Sequence, residues 1–207
     1  MSIEEVYQAV LKFKLNDIEA LVEDEIKFTN NYEIILNQGL IAPMDEIGKR
    51  FSAGDLFFPE MMLAAKVMKA GLDVLKPNLV SSDIKSKGTI IIGTVKGDLH
   101  DIGKDLVALM LEGGGFKVVD VGMDAESQKF IDAIAQHNAK IVGLSALLTT
   151  TMPAMQETVA DLKNAFPDIK VMVGGAPIDA AFAEKSGADG YGENAPSAVQ
   201  LARQFLG

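Results

Sequence analysis

Apolar positions along the chain change their period once, near residue 80. Before it they recur at spacings of three and four. Phe58, Met61, Met62, Ala65, Met68, Leu72 and Leu75 mark one helix face. Pro59 fits the first turn of that helix, where a missing N–H costs nothing, and Pro77 fits beyond its end. Val6–Phe13, Ile18–Phe28 and Ile34–Phe51 read as three further helices, with Asn16-Asp17 and Asn30-Asn31 as breaks. Four such helices predict a bundle over residues 1–80. Lys76–Lys87, with Pro77, Asn78, Ser81, Ser82 and Ser86, reads as linker sequence, and the junction is set at 81–87.

From residue 88 short apolar runs alternate with amphipathic stretches. The runs are Thr89–Ile92, Lys117–Val121, Ile141–Leu144 and Lys170–Val173, with a weaker one at Gly190-Tyr191. Helical patterns lie between them at 102–112, 126–137, 152–166, 177–186 and 195–206. Strands alternating with helices predict parallel βαβ units with right-handed crossovers. The expected fold is therefore α/β. An N-terminal four-helix bundle is followed, over 88–207, by a flavodoxin-like, doubly wound parallel sheet of five strands. In such a sheet ligands bind beyond the carboxyl ends of the strands, near the switch point between strands 1 and 3. The loops at 93–103, 145–151 and 174–177 are the ones to read for chemistry.

Composition narrows the chemistry. The 207-residue chain contains no cysteine, which excludes a disulfide scaffold, an iron–sulfur centre and a cysteine nucleophile. Its formal charge is −10, shared equally between residues 1–82 and 83–207, so no basic patch recommends nucleic acid as a partner. The N-terminus lacks a basic region and a long apolar region, and no stretch is apolar enough to span a bilayer. The expected setting is the cytoplasm. His100 and His137 are the whole imidazole supply.

The first loop, Gly93 to Gly103, is neither a P-loop nor a dinucleotide fingerprint, because its glycine spacing fits neither. Its distinctive part is Asp98-x-His100-x-x-Gly103. A carboxylate two residues before a histidine can accept the Nδ1 proton, which fixes the tautomer and leaves Nε2 free for a metal or a proton. A lone loop histidine is more often an ordinary hydrogen-bonding group; the strand-end position and the glycines favour function. Gly103 would let a bulky ligand approach the backbone. The second loop offers the hydroxyls of Ser145, Thr149, Thr150 and Thr151, although Thr150 or Thr151 can equally cap the next helix. The third places Gly174 and Gly175 after a strand, either for a ligand or for a tight turn with Pro177 opening the following helix. His137 closes a helix, where the dipole favours a cation, and reads as structural.

Asp98-x-His100-x-x-Gly103, Ser145-x-Leu147 and Gly174-Gly175, in that order on three strand-end loops, resemble the signature of base-off/His-on cobalamin-binding domains. The helical unit resembles the cap of methyl-transferring members, above all through Gly48–Ala70 with Phe51, Gly54, Phe57-Phe58-Pro59-Glu60 and Ala64-Ala65. The resemblance spans the chain. It is to the corrinoid proteins of methyltransferase systems and to the cobalamin module of methionine synthase.

The resemblance implies a cobalamin cofactor with His100 on the lower face of its cobalt. It implies a relay through Asp98 to a hydroxyl, here Thr151 where methionine synthase has a serine. Gly97, Leu99, Asp101, Ile102 and Gly103 would lie near the corrin. Ser145, Leu147, Thr149, Thr150, Gly174 and Gly175 would line the place of the displaced nucleotide tail. Phe57, Phe58, Met61 and Met62 would face the upper side, although such a stripe is more often bundle core. The function implied is a methyl carrier, a corrinoid subunit not catalytic alone. It would be loaded by a substrate-specific methyltransferase from a methylamine, methanol or a methoxylated aromatic. A second, acceptor methyltransferase would unload it, and a reductive activator would restore it. The competing readings are a cobalamin-dependent sensor or regulator, a mutase subunit, and a flavodoxin or receiver domain without cobalt.

Overall fold

A computed structural model describes residues 2–81 and 86–206. They fall into two compact units. One runs through Ser86 and includes Glu112–Gly115; the other comprises Lys87–Leu111 and the chain from Phe116 onward.

In the first unit, helices α1 (Ile3–Leu11) and α2 (Ile18–Thr29) precede a continuous helical run. That run is α3 (Tyr32–Ile34), a π-helical stretch Ile35–Ile41, and α4 (Ala42–Ser52). Helix α5 (Phe58–Ser81) completes the unit. The run expected as one helix from Ile34 thus contains a wider turn. Gly39 sits within it, facing Ile3 and Val6 of α1 so closely that an added Cβ would lie 2.9 Å from Ile3. Ile35, Leu40 and Ile41 are buried around it. Tyr7 on α1 donates to Glu46 on α4 at 2.6 Å, and this bond together with burial and the Glu46 charge pushes the phenol up to about 12.

Two expectations are corrected here. Pro77 does not end α5; it lies inside a helix that continues to Ser81. A proline removes one backbone bond and strains the turn before it, costing about 3 kcal/mol, but packing can outweigh that. Met61 is fully buried, as are Ala65, Met68 and Leu75, so it belongs to the bundle core and presents no surface to a ligand. Phe57 is 72% and Phe58 38% exposed, and Met62 is half-buried. Of the expected junction, residues 82–85 lie outside the described residues.

The second unit is a five-stranded parallel sheet in the order β2-β1-β3-β4-β5. Its strands are β1 (Thr89–Thr94), β2 (Lys117–Asp120), β3 (Ile141–Ser145), β4 (Lys170–Gly174) and β5 (Gly190–Tyr191). The central strands are buried on both faces, which is why they read as unbroken apolar runs rather than alternating ones. Helices α6 (Ile102–Gly113), α7 (Ser127–His137), α8 (Met152–Ala165), α9 (Ala180–Ser186) and α10 (Ala195–Leu206) make the connections. Helix α9 begins at Ala180, capped by the Asp179 side chain, so Pro177 belongs to the loop before it and not to its first turn. The register pairs Gly93 with Leu144 and Thr94 with Ser145. That brings the loop after β1 beside the loop after β3 at the carboxyl edge, where the strand order reverses.

Candidate functional site

Asp98 is the hub of this edge. It is fully buried, on a turn opened by Gly97, whose φ of +84° suits a residue without a Cβ. Asp124, itself in the left-handed region, accepts the Gly97 N–H at 2.7 Å and donates its own N–H to the Asp98 carbonyl at 3.0 Å.

The Asp98 carboxylate meets five donor groups. Oδ1 accepts from the His100 backbone N–H at 3.1 Å and faces His100 Nδ1 at 2.7 Å. Oδ2 accepts from the N–H groups of Leu147 at 2.7 Å and Leu148 at 3.3 Å. It also faces the Thr151 hydroxyl at 2.8 Å. That hydroxyl lies 2.9 Å from the Leu148 carbonyl as well, but its single proton favours the charged acceptor. Burial opposes ionisation of Asp98. The bonds from Leu147, His100 and Thr151 outweigh it and hold the carboxyl well below the usual carboxylate range.

An ionised Asp98 makes Nδ1 of His100 the donor. Nε2 is left with its lone pair on a side chain that is 50% exposed. Thr151 is the residue before α8, yet its side chain makes no capping bond; it serves Asp98 instead.

Around His100 the strand-end loops expose large apolar side chains: Leu99 at 69%, Ile102 at 67%, Leu147 at 44%, Leu148 and Met123. Isolated exposed leucines are ordinary, but a group on three adjacent loops marks a place for an apolar ligand. An added Cβ at Gly103 would meet nothing within 4 Å. Gly175 behaves differently. Its φ is +129°, and a Cβ there would lie 1.8 Å from the Ala146 carbonyl oxygen. A Cβ on Gly174 would stand 2.9 Å from the Gly192 oxygen. The two glycines therefore let the loops after β3 and β5 close on β4, and no ligand is needed to explain them. Ser145 is half-buried; Thr149 and Thr150 are exposed. Asp101 precedes α6 and accepts the Asp105 N–H at 2.7 Å.

Among the described residues no three histidine or carboxylate side chains gather to hold a bare ion. One free imidazole nitrogen in an apolar surround instead suits a metal that arrives in its own macrocycle and needs one further ligand. The donor set and the exposed apolar rim fit a corrinoid.

Two residues not singled out by the sequence reading belong to this edge. Thr94, fully buried, donates its hydroxyl to the His100 carbonyl at 2.9 Å and its N–H to the Gly122 carbonyl at 2.9 Å. Lys104, in the first turn of α6, is 3% exposed; its ammonium bonds to Asp105 at 2.6 Å and to Asp120. Burial alone would push Lys104 down, but these carboxylates hold it above its ordinary value. A lysine just after His100-x-x-Gly103 was the visible signal, masked by the expectation that a helix lysine is solvated.

Comparison with known proteins adds the following. Residues 88–200 and 2–76 each match a family model described as a B12 binding domain. The dimethylamine corrinoid protein 1 of Methanosarcina acetivorans is 43% identical over 213 residues, covering all of both chains. A cobalamin-binding protein from Desulfitobacterium hafniense DCB-2 superposes with TM-score 0.82 at 30% identity, over 100% of this chain and 99% of that one. A chain of the methanol:cobalamin methyltransferase complex MtaBC from Methanosarcina barkeri does so with TM-score 0.87 at 27% identity, over 99% and 79%. No helix among the described residues is long and apolar enough to cross a membrane.

Proposed function

The chain belongs to the B12-binding corrinoid proteins of methyltransferase systems, and on that premise we propose that it is a methylamine-linked methyl carrier in which His100 would hold the cobalt. Cobalamin is its cofactor and methyltransferases are its partners. The bound corrinoid supplies a cobalt centre able to take a methyl group from one partner and surrender it to another.

The observation that carries the reading is the buried Asp98 carboxylate, which accepts the Nδ1–H of His100 and leaves Nε2 free on a half-exposed side chain, on loops that expose apolar residues. His100 would hold the metal through Nε2, and when detached from it would be able to take a proton at the same atom. Asp98 supports both states: it accepts Nδ1–H throughout, and its charge stabilises the imidazolium once the second proton arrives. The Thr151 hydroxyl and the Leu147 N–H keep that charge from wandering. Gly97, Leu99, Asp101, Ile102 and Gly103 would contact the bound corrin, and their exposed apolar members would exclude water from it. Ser145, Leu147, Thr149 and Thr150 line the path of the nucleotide tail, above a floor shaped by Gly174 and Gly175. Phe57, Phe58 and Met62, the exposed or half-buried members of the apolar stripe in the helical unit, are that unit's candidates for contact with the cofactor.

Whole-length similarity to dimethylamine corrinoid proteins favours a methylamine over methanol or a methoxylated aromatic as donor. An acceptor methyltransferase and a reductive activator complete the cycle.

The test is an absorption spectrum of the protein loaded with hydroxocobalamin, beside His100→Ala. Expected are one corrinoid per chain, a spectrum without the cofactor's own base on cobalt, and a change on substitution. Identical spectra for the two proteins would overturn histidine ligation. The donor is read separately, by methyl uptake from each candidate with its matching methyltransferase.

A further inference from the structure

Lys104 occupies an unfavourable place. It is the third residue of α6, where the helix dipole disfavours a cation, and its side chain is only 2% exposed. Its partners Asp105 and Asp120 are 51% and 37% exposed, so neither carboxylate needs an ammonium to be stable in water.

What the lysine closes is a ring. Its ammonium binds Asp120 Oδ2 at the end of β2. Asp120 Oδ1 accepts the Gly122 N–H at 2.7 Å. The Gly122 carbonyl accepts the Thr94 N–H at 2.9 Å, and the Thr94 hydroxyl donates to the His100 carbonyl at 2.9 Å. Four residues after His100 the chain returns to Lys104. Asp98 is bonded to the His100 ring and N–H; this ring of bonds holds its carbonyl side and the start of α6.

We propose that Lys104 is a positioning residue for His100: by tying the first turn of α6 to the end of β2 it fixes where the imidazole stands. The proposal rests on His100 being the axial ligand. Without the tie the loop keeps Asp98 and the hydrogen-bonded tautomer, but Nε2 samples positions out of reach of the metal.

The test uses the whole chain loaded with hydroxocobalamin and reduced to the Co(II) state. Electron paramagnetic resonance then reads the nitrogen splitting that an axial imidazole imposes. Wild type should show it and His100→Ala should not. Lys104→Met should bind corrinoid at the wild-type stoichiometry, yet its ratio of ligated to unligated cobalt should fall about tenfold, the size of one lost charge-assisted hydrogen bond. Asp120→Asn, which keeps an acceptor for Gly122, should fall similarly, and the double variant no further. If Lys104→Met does not fold, Asp120→Asn decides alone. Undiminished splitting in the variants that fold overturns the role of Lys104 and leaves the ligand assignment intact. A wild type indistinguishable from His100→Ala overturns the ligand assignment and the proposal with it.

Discussion

At the scale of single residues, one carboxylate organises the carboxyl edge. Asp98 joins the loop after β1 to the loop after β3 through groups 49 to 53 positions away in sequence. Its bond to His100 was legible from spacing alone, because a two-residue separation leaves little freedom. Its bonds to Leu147 and Leu148 were not, because backbone N–H groups carry no sequence signal. Thr151 entered through resemblance, and among four nearby hydroxyls only the fold selects it: Thr149 and Thr150 stay exposed while Thr151 is buried. Thr151→Val, which keeps the shape and removes the hydroxyl, should destabilise the α/β unit by about 1.5–3 kcal/mol, the range for a hydrogen bond to a charged group. Thr151→Ser should cost less than half of that. Urea midpoints of the three proteins check both.

At the scale of elements, period and punctuation located the strands within a residue or two, because each buried strand is an apolar run bounded by polar turns. Helix ends were less legible. Pro77 lies within α5, so the local rule that proline stops a helix lost to whatever α5 gains by continuing. Pro77 is exposed, and replacing it restores a backbone donor without touching the core. Pro77→Ala should therefore stabilise the helical unit, by up to about 3 kcal/mol. A thermal unfolding midpoint that does not rise would show that the turn before Pro77 is already relaxed. The π-helical stretch was equally hidden. It answers to the close approach of α1 at Gly39, a tertiary fact.

At the scale of the whole molecule, acid should undo the α/β unit through Asp98. Its folded carboxyl titrates below its ordinary range, so its contribution to stability is complete above about pH 5, where an unfolded aspartate is already almost fully ionised. That contribution is lost as pH falls from there toward the folded value. Asp189, lowered by Lys163, the Val171 N–H and Lys170 against the effect of burial, adds a second loss of the same sign. The stability gap between wild type and Asp98→Asn should be widest at neutral pH and narrow below pH 4. Urea titrations across that range measure it; a gap constant with pH would show that Asp98 carries no proton linkage.

The sequence by itself determined the α/β class, the strand order's switch point, the Asp98–His100 pair and the family. All of these rest on periodicity or on residues a few positions apart, and such short-range relations survive in one dimension. Tertiary structure decided which hydroxyl serves Asp98, that Met61 is core, that Gly174 and Gly175 answer to neighbouring backbone, and that Lys104 closes a ring behind His100. Those outcomes depend on how elements far apart in sequence are rotated and brought together. Packing sets that rotation, and no local spacing encodes it.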